Sequence, residues 1–463
     1  MKSHGLVALN VTEVAKLYLF KPSSRTNDAA FMILRFKKII GTDLVKVSFL
    51  NGLATFVKML TGLVSVKVVA TVIGPAGIAL LGQLNNFSTI LLSISNGGIN
   101  AGVTKYISEH SNSKKDYSRY ISTSFKITAL LSIATSLTLI FGAGYFSRKI
   151  LHDVQYKAVF YVFGATIMFY AFNSLLISIM NGFKEYKKYV IANILGSVVS
   201  LLFSALLALR YGVYGALIAA VTFQSVVFFL TLIILKNTLW LKWQIFTGKF
   251  RKSVAIKLGH YSFMALASAI TIPAGQLMVR NFITRYRSIS DAGLWEGMNR
   301  ISLMYLTIVT TSLSVYYLPK LSELKTKSEL KNEVTNVYKL IIPFSILTTV
   351  SIYLFRKLII RILFTKDFSG MENLFAFQLI GDSLKLAGWV LGYLLIAKAM
   401  SKIYIVMECV NFLIITVLSF FLVKSYGALG ATISYAVSYL VYLITLLFVF
   451  RKTLLYKKVD VSI

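Results

Sequence analysis

One cysteine, Cys409, excludes any intrachain disulfide and leaves the redox compartment unread. Four histidines, His4, His110, His152 and His260, show no metal-ligand spacing, so no metal site is expected. Acidic residues are scarce and dispersed, 17 against 49 Lys and Arg. No Asp-x-Asp pair, phosphate-cradling P-loop, G-x-S-x-G elbow or H-E-x-x-H motif occurs. A nucleotide-driven pump would therefore need a separate subunit for its energy, and no cofactor is expected. Residues 1–43 hold no long apolar region ahead of a small-residue site, so no cleavable signal peptide is read there.

What is present is apolar. Hydrophobic residues make up 57% of the chain and the mean hydropathy is +0.73, which excludes an ordinary soluble domain. Twelve spans of membrane-crossing length are read, at roughly 47–70, 78–101, 122–145, 157–180, 190–209, 213–235, 260–283, 294–318, 337–355, 373–397, 404–423 and 429–450. Little chain remains for an extramembrane domain. The expected fold is an all-α membrane protein with about twelve transmembrane helices in two parallel six-helix repeats around a central cavity. Its parts are a basic N-terminal extension at 1–43, six-helix bundles at 44–235 and 260–450, a cytoplasmic linker at 236–259 and a tail at 451–463.

The net charge of +32 would point to nucleic acid in a soluble protein. Here Lys and Arg concentrate in the loops on one side, as the positive-inside rule requires. Nucleic acid is therefore not expected as a partner, and anionic membrane lipids suffice for most of these charges. Both termini are expected to be cytoplasmic. Ala29–Ile40 has the pattern of a surface-lying segment or of a plain tail. Trp240 and Trp243 amid lysines suit an interfacial linker, which reads as a simple connector.

A repeat supports the two bundles. Tyr211-Gly-Val-Tyr-Gly-Ala-Leu217 returns as Tyr426-Gly-Ala-Leu-Gly-Ala-Thr432, 215 residues later. Pro75-Ala-Gly77 matches Asp291-Ala-Gly293 at an offset of 216. An offset of six spans preserves orientation, so the repeats are parallel about the membrane normal.

Ten charged residues fall inside the spans: Lys58, Lys67, Lys126, Arg280, Arg300, Lys339 and Lys385 against Glu296, Asp382 and Glu408. A charge at the bilayer centre costs at least about 2.5–3.5 kcal/mol, so it marks a substrate path or a buried partner. Lys126, Lys339 and Glu408 lie near inner ends, and Lys67 and Arg280 near outer ends, where snorkelling is expected. Lys58 is near a span centre. Glu296 and Arg300 have pairing spacing, as have Asp382 and Lys385. Such pairs neutralise themselves or form a proton or sodium coupling site. Span 2 carries Gln83, Asn86, Ser93, Gly97 and Asn100 on one expected face, and span 8 carries Glu296, Arg300, Thr307, Thr311 and Ser314. Polar faces in a membrane must meet protein or water, so these stripes line a cavity or pack against helices. Pro273 should kink span 7.

Several segments carry a resemblance: Phe56-Val-Lys-Met59, Gly74-Pro-Ala-Gly77, Gly102-Val-Thr-Lys-Tyr106, Gly293-Leu-Trp295 and Ser314-Val-Tyr-Tyr-Leu-Pro319. The longest run is Leu374-Phe-Ala-Phe-Gln-Leu-Ile-Gly-Asp382, continuing through Leu384-Lys385 to Gly392-Tyr-Leu-Leu-Ile-Ala-Lys398. On these segments the chain resembles the Wzx-type lipid-linked oligosaccharide flippases of O-antigen and enterobacterial common antigen assembly. They belong to the multidrug/oligosaccharidyl-lipid/polysaccharide exporter superfamily. The resemblance spans roughly 44–450.

It implies a non-enzymatic transporter of the bacterial inner membrane, with a central cationic cavity. Its substrate would be undecaprenyl-diphosphate-linked glycan, flipped from the cytoplasmic to the periplasmic leaflet by alternating access. A polysaccharide polymerase complex is a further expected partner. On this reading Lys58, Arg300 and Arg280 hold the diphosphate, and Gln83, Asn86 and Asn100 bond sugar hydroxyls. The polyprenyl tail leaves between spans 2 and 8. Asp382, Lys385 and Glu296 serve coupling. The rival readings are a cation-coupled multidrug exporter of the same superfamily, a membrane-embedded glycosyltransferase or ligase, and an assembly scaffold.

Overall fold

Apolar length makes these helices membrane crossings, and glycine sets where the longest ones turn. The computed structural model describes residues 43–454. The extension 1–43 up to its last residue, with its segment Ala29–Ile40, and the tail beyond 454 lie outside the described residues. Leu53 and the residues after it form one unit, while residues 43–52 fall outside it and are helical. No strand occurs among the described residues.

Among the described residues, eight helices are long and apolar enough to cross a membrane. Two of these hold two crossings each. Gly52–Ser95 breaks at Gly74, where φ is 62°, into arms 53–73 (α1) and 75–95 (α2). Asn100–His110 is α3, Lys114–Phe141 is α4, Ala143–Ile150 is α5 and Lys157–Gly182 is α6. Tyr186–Leu235 breaks at Gly212, where φ is 57°, into arms 186–211 (α7) and 213–235 (α8). Trp243–Phe246 (α9) lies in the linker. Lys252–Tyr286 (α10) and Ile289–Ser312 (α11) are also of crossing length, and they carry Arg280, Glu296 and Arg300. Leu318–Glu323 (α12) continues α11 after a π-helical turn at Leu313–Tyr317. Then follow α13 (Lys327–Leu354), α14 (Arg356–Leu363), α15 (Phe375–Ala397), α16 (Ser401–Tyr426), α17 (Ala428–Val449) and α18 (Arg451–Leu454). With the arms counted separately, twelve segments of crossing length result.

The repeat read from two short motifs extends through the backbone. α4 and α5 recur as α13 and α14, with every boundary displaced by 213 residues. Lys184 and Ala399 both have positive φ, 57° and 52°, at an offset of 215. Gly212 and Gly427 share φ near 60° and ψ of −137° and −140°, a region open almost only to glycine. At Gly215 and Gly430 an added Cβ would collide with the carbonyl oxygens of Leu207 and Leu422, each eight residues earlier. Glycine thus permits both the turn and the close approach of its two arms.

Packing ties the halves together at one end. A core including Val69, Ile78, Phe160, Trp295, Phe375 and Ala428 draws on helices of both halves near the glycine breaks. Toward the linker the cores separate. One gathers Ile107, Ile121, Leu176 and Phe246 with the start of α10. The other gathers Leu321, Val334, Leu394 and Leu446.

One expectation changes here. The polar stripe of span 2 is interrupted, because α2 ends at Ser95 and Gly97 and Gly98 turn the chain with φ of 59° and 64°. Asn100 therefore starts α3 instead of extending α2. α10 runs through Pro273 without interruption. The linker is folded: Ile245 and Phe246 are buried, and the Arg251 N–H donates to Thr123 Oγ1 at 3.3 Å.

Candidate functional site

Two polar centres lie inside the helical body. The larger is a cavity of about 570 Å3. α1 contributes Lys58, Thr61 and Ser65, and α11 contributes Arg300. Asn173 and Ser174 come from α6, Asn193 and Ser197 from α7, and Gln224 from α8. The residues lining it include two cations and no carboxylate. Lys58 is exposed to this space and has no charged partner among the described residues. Hydroxyls and amides supply donors and acceptors around it. Asn173 donates to Gln224 Oε1 at 3.0 Å, and Asn100 donates to Ser174 Oγ at 2.9 Å.

Behind Arg300 the seam between α2, α10 and α11 is closed by a buried network. Arg280 is only 1% exposed. Its Nη2 donates to Glu296 Oε2 at 2.5 Å and its Nη1 to Gln83 Oε1 at 2.9 Å. The Trp295 ring lies 5.5 Å from the guanidinium. Gln83 Nε2 donates onward to Asn281 at 2.6 Å. Asn86, with its amide oriented to match its neighbours, accepts from Arg280 at 3.2 Å and donates to Gln276 at 3.0 Å. Arg300 Nε reaches the other Glu296 oxygen at 3.2 Å. One carboxylate thus serves two guanidiniums, and the cluster keeps a net positive charge facing the cavity. Gly82 makes this possible, because a Cβ there would overlap the Glu296 carboxyl.

Two placements differ from simple snorkelling. Arg280 turns inward, with both terminal guanidinium nitrogens engaged. Lys67 donates to the carbonyls of Phe364 and Arg361, at 2.6 and 3.2 Å, and caps the end of α14. The seam between spans 2 and 8, expected to pass the lipid tail, is closed at Gly82.

The second centre is smaller, with a cavity of about 60 Å3 bordered by Lys385, Glu408, Asn299 and Asn411. Beside it Asp382 is 1% exposed. Its carboxylate accepts from Ser302 at 2.6 Å, from Tyr435 at 2.7 Å and from the Tyr305 hydroxyl. Asp382 and Lys385 form no ion pair. The Lys385 ammonium instead lies 4.9–5.4 Å from the Trp389, Tyr439 and Tyr435 rings. Three hydroxyl donors suit an ionised carboxyl, and a protonated one would have to turn one donor round.

The structure brings Lys58 and Arg300 to one cavity and sets Gln83, Asn86, Arg280 and Glu296 in the network behind it. Asn100 touches the cavity through Ser174. Sequence reasoning missed Asn193, Ser197 and Ser200, although their spacing of four and three already marks one helix face. It also missed Asn173 and Gln224, and it assigned Glu408 to the inner surface. No group of three or more His, Cys, Asp or Glu able to hold a metal occurs among the described residues.

The family model for polysaccharide biosynthesis proteins matches residues 44–325. The chain belongs to this family. The lipid III flippase of Escherichia coli (strain K12) is 30% identical over 401 residues, which cover 86% of this chain and 96% of that protein. The lipid III flippase of Shigella flexneri matches to the same extent. Among solved structures, the inward-facing conformation of a multidrug resistance MATE family transporter of the MOP superfamily aligns with a TM-score of 0.75. It is 12% identical, over 86% of this chain and 94% of that one. The all-α transporter fold and the resemblance to Wzx-type flippases both stand, and this polysaccharide biosynthesis protein is a multi-pass membrane protein.

Proposed function

We propose that the protein flips a polyprenyl-diphosphate-linked oligosaccharide between membrane leaflets. The observation that carries this reading is the cavity lined by Lys58 and Arg300 without a carboxylate. A diphosphate and sugars cannot enter hydrocarbon unaided, because unpaired polar and charged groups are too costly there. Lys58 supplies a compact charge, while Arg300, shared with Glu296, supplies forked donors. The amides and hydroxyls of α6, α7 and α8 suit sugar hydroxyls. Gln83, Asn86 and Arg280 have a different role on this reading: they latch α2 to α10 and α11. The related flippases favour a lipid-linked glycan over a drug as cargo, and the cavity has the wrong charge for a cationic drug.

Alternating access fits the packing. The halves share a core near the glycine breaks and keep separate cores near the linker, so rocking can open one end and close the other. Basic loops put the linker and both termini on the cytoplasmic side, with the cavity loaded from there. Exposed Phe56, Leu60 and Val64, on the face of α1 turned away from Lys58, offer the polyprenyl tail a lipid-facing surface. Asp382, in its hydroxyl cage near Lys385 and Glu408, is the carboxylate for proton or cation coupling.

Cells that lack their own flippase provide the test. The wild-type gene should restore surface glycan, while Lys58→Ala and Arg300→Ala proteins should insert normally without restoring it. Normal surface glycan with both variants would remove the diphosphate site.

A further inference from the structure

A second cationic pocket lies where the linker folds onto α4, away from the cavity already described. It has a volume of about 310 Å3, room for roughly ten water molecules. Lys114 and Arg119 of α4 line it from one side, and Lys242, Lys249 and Arg251 of the linker from the other. Only Arg119 has a carboxylate partner, Asp116 at 3.1 Å. That carboxyl also accepts from the Ser113 hydroxyl at 2.7 Å. The other four cations have no ion pair among the described residues.

The pocket is built, not a chance crowding of lysines. Trp240 anchors the linker by donating to Glu185 at 2.9 Å and by stacking on Phe183. Phe246 packs edge-on against Phe125 of α4. Ser122 Oγ donates to the Lys249 carbonyl at 3.4 Å. At Gly248 an added Cβ would come within 3.2 Å of Ser122, so the linker backbone hugs the helix. This holds like charges near one another, which is unfavourable until an anion sits between them. The linker around these lining residues also carries exposed apolar side chains: Leu239 is 80%, Trp243 72% and Phe250 49% accessible. Clustered cations on a segment that also exposes an indole and apolar side chains match a phosphate held at the headgroup plane of a membrane.

We propose that this pocket binds the phosphate ester of an anionic membrane lipid. The site does not rest on the flipping reading, and glycan transport can fail without affecting it. The test is native mass spectrometry of the full chain in detergent, titrated with phosphatidylglycerol and, separately, phosphatidylcholine. The pocket variant combines Lys242→Ala, Lys249→Ala and Arg251→Ala, all at exposed positions. The control variant removes equal charge outside the pocket, at Lys187, Lys252 and Lys257.

Each basic residue near an anionic surface contributes roughly fivefold in binding, so the pocket variant should retain phosphatidylglycerol roughly a hundredfold more weakly. The control should stay within about threefold of wild type, and Lys249→Ala alone should lose roughly fivefold. Two competitors identify the source. Displacement by polyprenyl diphosphate assigns the pocket to the substrate headgroup, and displacement by inorganic phosphate assigns it to free phosphate. Either keeps the phosphate chemistry, while resistance to both assigns it to bulk phospholipid. Equal retention of phosphatidylcholine and phosphatidylglycerol, or equal losses in pocket and control variants, would overturn the site.

Discussion

In the cavity of about 570 Å3, Lys58 stands without a charged partner and Arg300 shares one carboxylate with Arg280. In the second half, Lys385 is covered by three aromatic rings and Asp382 by three hydroxyls, beside only about 60 Å3 of space. The backbones of the halves repeat closely, yet the charges at the two centres meet opposite fates. One centre keeps cations available to a guest, and the other satisfies its charges internally. A duplicated scaffold therefore does not duplicate a site. The side chains around each charge decide whether it binds or braces.

The contrast can be tested from the strongest effect down. Glu296→Ala should be the most damaging, because it leaves Arg280 buried without its partner. The expected cost is about 3–5 kcal/mol, seen as a fall in thermal stability in detergent. A stable Glu296→Ala protein would mean that the network is not needed to close the seam.

Lys58→Ala and Arg300→Ala come next. Loss of one charge-assisted contact should slow transport by about tenfold to a hundredfold, with little loss of stability. Arg300→Lys should keep part of the activity if charge outweighs fork geometry. The reverse pattern is expected for Tyr435→Phe, which removes one donor from Asp382. It should cost stability by about 1.5 kcal/mol and leave glycan binding at the cavity intact. Glycan binding that fell with Tyr435→Phe as steeply as with Lys58→Ala would erase the distinction between the two centres.

Gly212→Ala and Gly427→Ala probe what the halves share. Both force a side chain into a backbone region that glycine alone favours, so each should destabilise by on the order of 1 kcal/mol or more, and nearly equally. Unequal losses in unfolding scans would weaken the equivalence of the two turns.

The smallest effect concerns the helix starts Ser113 and Thr326, which are 213 residues apart. Thr326 and Glu329 form a reciprocal capping box, whereas the Ser113 hydroxyl donates to Asp116 instead. Thr326→Ala should raise amide exchange in the first turn of α13 about fivefold. Backbone bonding to Thr326 holds the Glu329 carboxyl below its usual range. Its stabilisation is therefore present at neutral pH and fades as pH falls through that lowered value. Protection in that turn, corrected for the intrinsic pH dependence of exchange, that did not fall on acidification would contradict the cap.

Much of this fold was legible because membrane helices announce themselves by length and apolarity. The twelve spans and the six-span repeat follow from that, and the two YG motifs mark turns that only glycine permits. The Glu296–Arg300 pair was readable because one helix sets its spacing. Arg280 was not, since its partners come from α2 and α11 and only packing brings them within reach. Asp382 and Lys385 mislead for the same reason. Hydroxyls and rings from α11 and α17 intercept both charges before they can pair. Asn100 was misplaced because the turn at Gly97 and Gly98 breaks the helical period on which its face was counted.

The central claim is that Lys58 and Arg300 hold a diphosphate inside the cavity. The most direct measurement reconstitutes the protein in liposomes with a labelled polyprenyl-diphosphate glycan and follows its access to the opposite leaflet. Wild-type protein should move the label, and Lys58→Ala and Arg300→Ala proteins should move it at least about tenfold more slowly. Equal rates for all three, at equal protein incorporation, would contradict the account.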